Sequence, residues 1–79
     1  MEYAFLRRGK SKVLLLDFSS ALSDYNKAIE LSPYYVDSYY ERGIVHALLK
    51  DNIKACLDWY KAKELGEEHA DKYINTYCK

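Results

Sequence analysis

The sequence predicts an all-α fold, a helical repeat of two antiparallel helix hairpins closed by a C-terminal capping helix. Three observations predict it. Slid along itself by 34 residues, the chain places Arg8 on Arg42, Gly9 on Gly43, Leu14 on Leu48, Leu15 on Leu49, Asp17 on Asp51, Ala21 on Ala55 and Ala28 on Ala62. An internal period of that length marks stacked supersecondary units, each too small to bury its apolar face alone. Apolar residues recur at three- and four-residue spacings, and the alternation of a half-buried strand is absent. Punctuation is confined to a few joints, at Asp17, Pro33, Asp51 and Gly66.

From Glu2 to about Leu16, Phe5, Leu6, Val13, Leu14 and Leu15 stand at helical spacings with charges between them, which predicts a first A helix. Asp17 is suited to cap the next helix, because its carboxylate can accept from the orphan backbone N–H groups of a first turn. Phe18, Ala21, Leu22, Tyr25, Ala28, Ile29 and Leu31 form the inward stripe of a B helix, which Pro33 ends. Val36 to Leu49 repeats the A pattern, and Asp51 opens a second B helix carrying Ile53, Ala55, Cys56, Trp59, Tyr60 and Ala62. Gly66 suits a left-handed C-terminal cap. From about Glu68 to Cys78, Ala70, Tyr73, Ile74 and Tyr77 share one stripe, as expected of a helix that covers the open end of a stack. The expected organisation is a single domain over residues 1–79, with repeat one at about 2–35, repeat two at about 36–66 and the cap at about 67–78.

Small residues on facing helices let backbones approach closely. Gly9 opposite Ala21 and Gly43 opposite Ala55 are expected in that role, with Tyr25 and Trp59 plugging each hairpin.

Composition excludes more than it assigns. Lys plus Arg and Asp plus Glu are 12 each, so no net field draws the chain to nucleic acid or an anionic membrane. MEYAFLRRGK lacks the long apolar core of a signal peptide, and no apolar run approaches a membrane span. Cys56 and Cys78 are too few for a disulfide framework and have no CxxC spacing. They read as a small buried apolar residue and a loose tail thiol, which fits a cytoplasmic setting.

In these residues the chain resembles two tetratricopeptide repeats followed by a capping helix. The family's run of aromatic, Gly, aromatic, Ala, aromatic and Pro is met by Phe5, Gly9, Ala21, Tyr25, Ala28 and Pro33, then by Tyr39, Gly43, Ala55, Trp59 and Ala62. Arg8 and Arg42 stand before the two glycines. Lys12 and His46 replace the aromatic expected after each Gly, and Glu67 replaces the second closing Pro. The resemblance implies a right-handed alpha-alpha superhelix whose A helices line a concave groove that takes partner peptides. Carried over by position, the groove residues are Tyr3, Leu6, Lys10 and Val13, then Asp37, Tyr40, Ile44 and Ala47. The implied function is a non-catalytic protein-protein interaction module that binds a protein or peptide partner. The carboxylate-clamp subset of the family is poorly matched, since Leu6, Tyr40 and Ile44 stand where it would want Lys or Asn.

Other chemistries have thinner support. No nucleophile and base form a recognisable catalytic set. Neither His46 nor His69 has metal-ligand spacing to a cysteine, and no cofactor or metal is expected. The run Arg7, Arg8, Lys10, Lys12 beside Tyr3 is the one candidate for RNA. The recurrence of Arg8 as Arg42 favours instead a structural role in both repeats, pairing with a B-helix acid or lying along packed aromatics. Repeat proteins generally need about three units for stability. Two plus a cap, with Phe5, Leu6 and Val13 on an uncovered first face, leave open a homodimer or a fragment of a longer array.

Overall fold

The computed structural model describes residues 2–78. Five helices follow one another: α1 (Glu2–Leu14), α2 (Phe18–Leu31), α3 (Val36–Leu48), α4 (Asn52–Glu64) and α5 (Ala70–Tyr77). They form the predicted all-α helical repeat, with α1–α2 and α3–α4 as hairpins and α5 docked on α4. α1 ends two residues before the expected Leu16, for a reason that lies in the backbone at its end, and α5 runs from Ala70 to Tyr77 within the expected 68–78.

Three helices close in the same way. After α1, the N–H of Leu16 donates to the carbonyl of Val13 and that of Asp17 to Lys12, at 2.9 and 2.8 Å. After α3, Lys50 donates to Ala47 and Asp51 to His46, and after α4, Gly66 donates to Lys63 and Glu67 to Ala62. This paired pattern satisfies orphan carbonyls and needs a left-handed residue at its apex. Leu16, Lys50 and Gly66 supply it with φ of 61, 67 and 112°. Glycine takes that conformation freely, whereas an L side chain pays roughly 1–2 kcal/mol for it. Asp17 and Asp51 then cap the following helices, accepting from Ser20 and Lys54 backbone N–H groups at 3.3 and 3.2 Å.

Two apolar clusters hold the stack. Leu6, Ala21, Tyr25 and Val45 join α1, α2 and α3, and Tyr39, Ala55, Trp59, Ala62, Ala70 and Ile74 join α3, α4 and α5. The space beside the glycines is taken by the aromatic plugs. A Cβ on Gly9 would stand 2.5 Å from the Tyr25 ring, and one on Gly43 would stand 2.6 Å from the indole nitrogen of Trp59. Each glycine therefore makes room for the large aromatic that plugs its own hairpin, and the approach is helix backbone to ring.

Each hairpin is also pinned by an ion pair of the same register. Arg8 Nε and Nη2 donate to the two oxygens of Asp24 at 2.9 and 2.7 Å. Arg42 grips Asp58 in the same fork at 2.8 and 2.6 Å. Both carboxylates are buried, so a planar two-point donor is what makes their burial tolerable. The guanidinium groups also lie over Phe5 and Tyr39, at 5.4 and 5.7 Å from the ring centroids. The expected structural role for the recurring arginine is thus met on both counts.

The cysteines correct the sequence reading. Cys56 on α4 and Cys78 just past α5 are joined in a disulfide, with their Cα atoms 5.8 Å apart. Neither is a free thiol. The bond was invisible in sequence because the 22-residue separation spans half of α4, a turn and all of α5, and only the docking of α5 brings the ends together.

Candidate functional site

The layering decides which side chains a partner could reach. α3 packs on α1, α2 and α4, and α5 reaches α3 through Tyr73, whose ring meets Tyr40 edge-on at 5.5 Å. The A helices α1 and α3 therefore share a layer with α5, with α2 and α4 behind them. The expected groove residues are distributed unevenly over this layer. Tyr3 and Lys10 are exposed, and Val13, Asp37, Tyr40, Ile44 and Ala47 are partly buried.

Leu6 is a correction. It is 1% exposed and packed in the cluster with Tyr25 and Val45, so it cannot be a contact residue. Its repeat equivalent is Tyr40, which packs in the same direction against α5. That position faces the next A helix, and its burial is complete where a whole helix follows. The same fact shrinks the uncovered first face: Phe5 and Val13 are half-buried and Leu6 is lost to the core. Exposed aliphatics gather instead at the α1–α2 and α3–α4 turns, with Leu14, Leu15 and Leu16 at 85, 75 and 75% and Leu48 and Leu49 at 51 and 46%.

Charge on the A-helix face is mixed. Burial pushes the Glu41 carboxyl above its usual range, Asp37 adds to the shift, and Lys10 opposes it. Lys10, Asp37 and Glu41 are therefore near enough to feel one another. Glu41 escaped the sequence reading because it falls outside the stripe carried over from the family, although the acid next to Arg42 was plain to see. Burial also raises the Tyr40 phenol, helped by the neighbouring Tyr73 and by Glu41 and Glu67.

The tyrosines can now be apportioned. Tyr25 and Tyr39 are core, the latter donating its hydroxyl to the Pro33 carbonyl at 2.7 Å, while Tyr34 in the joint is exposed. Tyr73 stacks on Trp59 at 5.1 Å and Tyr77 lies tilted beside it at 5.4 Å. These two rings close one side of a cavity of about 270 Å³ between α3, α4 and α5.

The basic run is partly spoken for. Arg8 is committed to Asp24, and Arg7 lies over the Tyr3 ring at 5.9 Å. His46 sits 3.7 Å from Asp58 and His69 2.9 Å from Glu67. Among the described residues, no three His, Cys, Asp or Glu side chains are grouped to hold a metal.

Residues 17–50 match the family model described as a TPR repeat. Over that span the chain is similar to the tetratricopeptide-repeat family, and its five helices are consistent with such repeats followed by a capping helix. The matched span runs over α2 and α3, so it takes the B helix of one hairpin with the A helix of the next. No curated protein matches the chain. TPR units are generally interaction modules, and the repeated Arg–Asp pins and Gly–aromatic plugs of this chain are what a stacked scaffold needs. No helix among the described residues is long and apolar enough to cross a membrane.

Proposed function

We propose that this protein is a non-catalytic interaction module that holds a peptide or protein partner along the face of α1 and α3. The contact residues in this reading are Tyr3, Lys10, Val13, Asp37, Tyr40, Ile44 and Ala47, without Leu6. The observation that carries it is the partial exposure of Tyr40, Ile44 and Ala47 beside Lys10, Asp37 and Glu41, an apolar strip with fixed charges at its margins. Such a strip gives area and register together. A displayed library of random peptides provides the test. Selected peptides should share a motif and bind about tenfold more weakly when Lys10→Glu and Asp37→Lys are combined, two surface changes that spare the core. Identical peptides retained at equal strength by that variant would sink the reading.

Self-association is the second reading, favoured by the exposed leucines of the two turns. Exposed apolar side chains gathered in this way commonly mark an interface. Sedimentation equilibrium should then show a concentration-dependent dimer that Leu15→Gln and Leu48→Gln abolish; a monomer at all concentrations would dismiss it. RNA binding through Arg7 to Lys12 is weakened by the commitment of Arg8 to Asp24. The Cys56–Cys78 bond supports an oxidising compartment over the cytoplasmic one expected from the cysteine count.

A further inference from the structure

We propose that the cavity between α3, α4 and α5 is an anchor pocket for one apolar side chain of a partner peptide, an aromatic or branched residue standing beside an acidic one. The identity of the occupant as a peptide rests on the groove reading above; the pocket itself is read from its own walls. Ile44, Ala47 and Leu48 form the α3 side, Trp59 the α4 side, and Tyr73 and Tyr77 the α5 side. Its volume of about 270 Å³ falls just under the roughly 300–1,000 Å³ of pockets that take a drug-sized ligand. One large side chain is the matching payload. Ile44 and Ala47 belong both to this cavity and to the A-helix strip, so a peptide lying on the strip passes over it.

The walls are held before any ligand arrives. Trp59 is fully buried and stacked between the helices, Tyr73 is wedged between Trp59 and Tyr40, and Tyr77 adjoins the cysteine that ties α5 to α4. Preorganised walls lower the ordering cost that weakens binding. The polar lining consists of Lys50 and Asn52. Lys50 is the single charged group in that lining, and among the described residues it has no ion-pair partner, unlike neighbouring Lys54, which faces Asp51 at 3.9 Å. An ammonium beside an aromatic-walled cavity complements a carboxylate next to an apolar anchor. At the other end of the strip the two acids Asp37 and Glu41 outnumber Lys10, so an acid is better placed at the Lys50 end, which sets the direction in which the peptide lies.

The test uses the oxidised full chain and two capped dipeptides, acetyl-Phe-Glu-amide and acetyl-Phe-Gln-amide, titrated while the Trp59 indole N–H and the Tyr73 and Tyr77 ring signals are followed by NMR. The acidic dipeptide should shift these signals saturably. The glutamine dipeptide, and Lys50→Gln with the acidic dipeptide, should each bind about threefold more weakly, the size of one solvent-exposed charge pair. Lys50 is an exposed turn residue, so its variant should fold as the parent does. Absence of saturable shifts at Trp59, equal binding of the two dipeptides, or indifference to Lys50→Gln would overturn the proposal. The two readings fail separately. Library peptides that ignore the dipeptide as competitor remove the pocket and spare the strip, whereas dipeptide binding with no selected peptide does the reverse.

Discussion

Reduction of the Cys56–Cys78 disulfide is expected to lower the unfolding free energy by about 3 kcal/mol, the loop-closure value for a separation of this order. The tie closes 22 residues of chain. For a domain of this size such a loss moves the thermal midpoint down by roughly 12 to 24 °C. The effect should be local first. α5 has eight residues, fewer than an isolated helix needs to persist in water. Its other restraints are the packing of Ala70, Tyr73, Ile74 and Tyr77, and a solvent-exposed pair between Lys63 and Asp71 at 2.8 Å. Without the covalent tie, α5 should open before the hairpins do. The single tryptophan reports this, since Trp59 is covered by Tyr73 and Tyr77. Its emission should shift to the red at temperatures where helical circular dichroism has barely changed. Melts of the parent with and without a thiol reductant, and of Cys78→Ser, supply the comparison. A transition unmoved by the reductant, with two thiols titrating in the untreated protein, would show that the cysteines are not paired.

The repeated part of the fold was legible because each unit carries its own copy of the instructions. The caps at Asp17 and Asp51, the stop at Pro33 and the left-handed Gly66 are local devices whose chemistry is visible at one position. What sequence could not supply was the register between units. Leu6 looked like a groove residue because it shares a helical stripe with Tyr3, Lys10 and Val13, yet a helix packed on two neighbours buries a wider arc than one stripe, and Leu6 lies inside it. The ring contacts of the glycines were missed for a related reason. Small residues were matched with small ones, while the structure sets Gly9 on Tyr25 and Gly43 on Trp59. A signal did exist: Arg8 with Asp24, Arg42 with Asp58, Gly9 with Tyr25 and Gly43 with Trp59 are all pairs separated by the same 16 positions. The disulfide and the pocket beside Lys50 depend on where α5 docks, which no local pattern in the chain encodes.

Arg42→Ala is expected to destabilise the fold by about 3 kcal/mol near neutral pH, the lower end of what breaking a buried ion pair costs. Arg42 is only 23% exposed and Asp58 7%, so the carboxylate it leaves behind has little water to turn to. The arginine also joins the hairpins, donating from Nη1 to Asn26 on α2 at 2.9 Å while its other nitrogens hold Asp58 on α4. Among the described residues Arg8 has no such second bond, and it is 61% exposed, so Arg8→Ala should be the milder change, even though Asp24 is equally buried. The loss at Arg42 should depend on pH through His46, whose Nε2 lies 3.7 Å from Asp58. In the parent, burial holds the His46 pKa below 6.5, and the positive charge of Arg42 helps. A group whose folded pKa is lowered in this way removes stability as pH falls below the unfolded value. In the variant that sign reverses. Asp58 lacks its cation and the repelling guanidinium is gone, so His46 gains a reason to be protonated and its folded pKa rises. A raised pKa contributes stability that is present at low pH and lost as pH climbs through it. The gap between Arg42→Ala and the parent should therefore narrow from about pH 8 to about pH 5.5. Chemical denaturation of both proteins across that range measures the gap, and in a His46→Gln background it should stay constant. A gap that stays constant or widens on acidification would mean that His46 does not take up the place that Arg42 leaves beside Asp58.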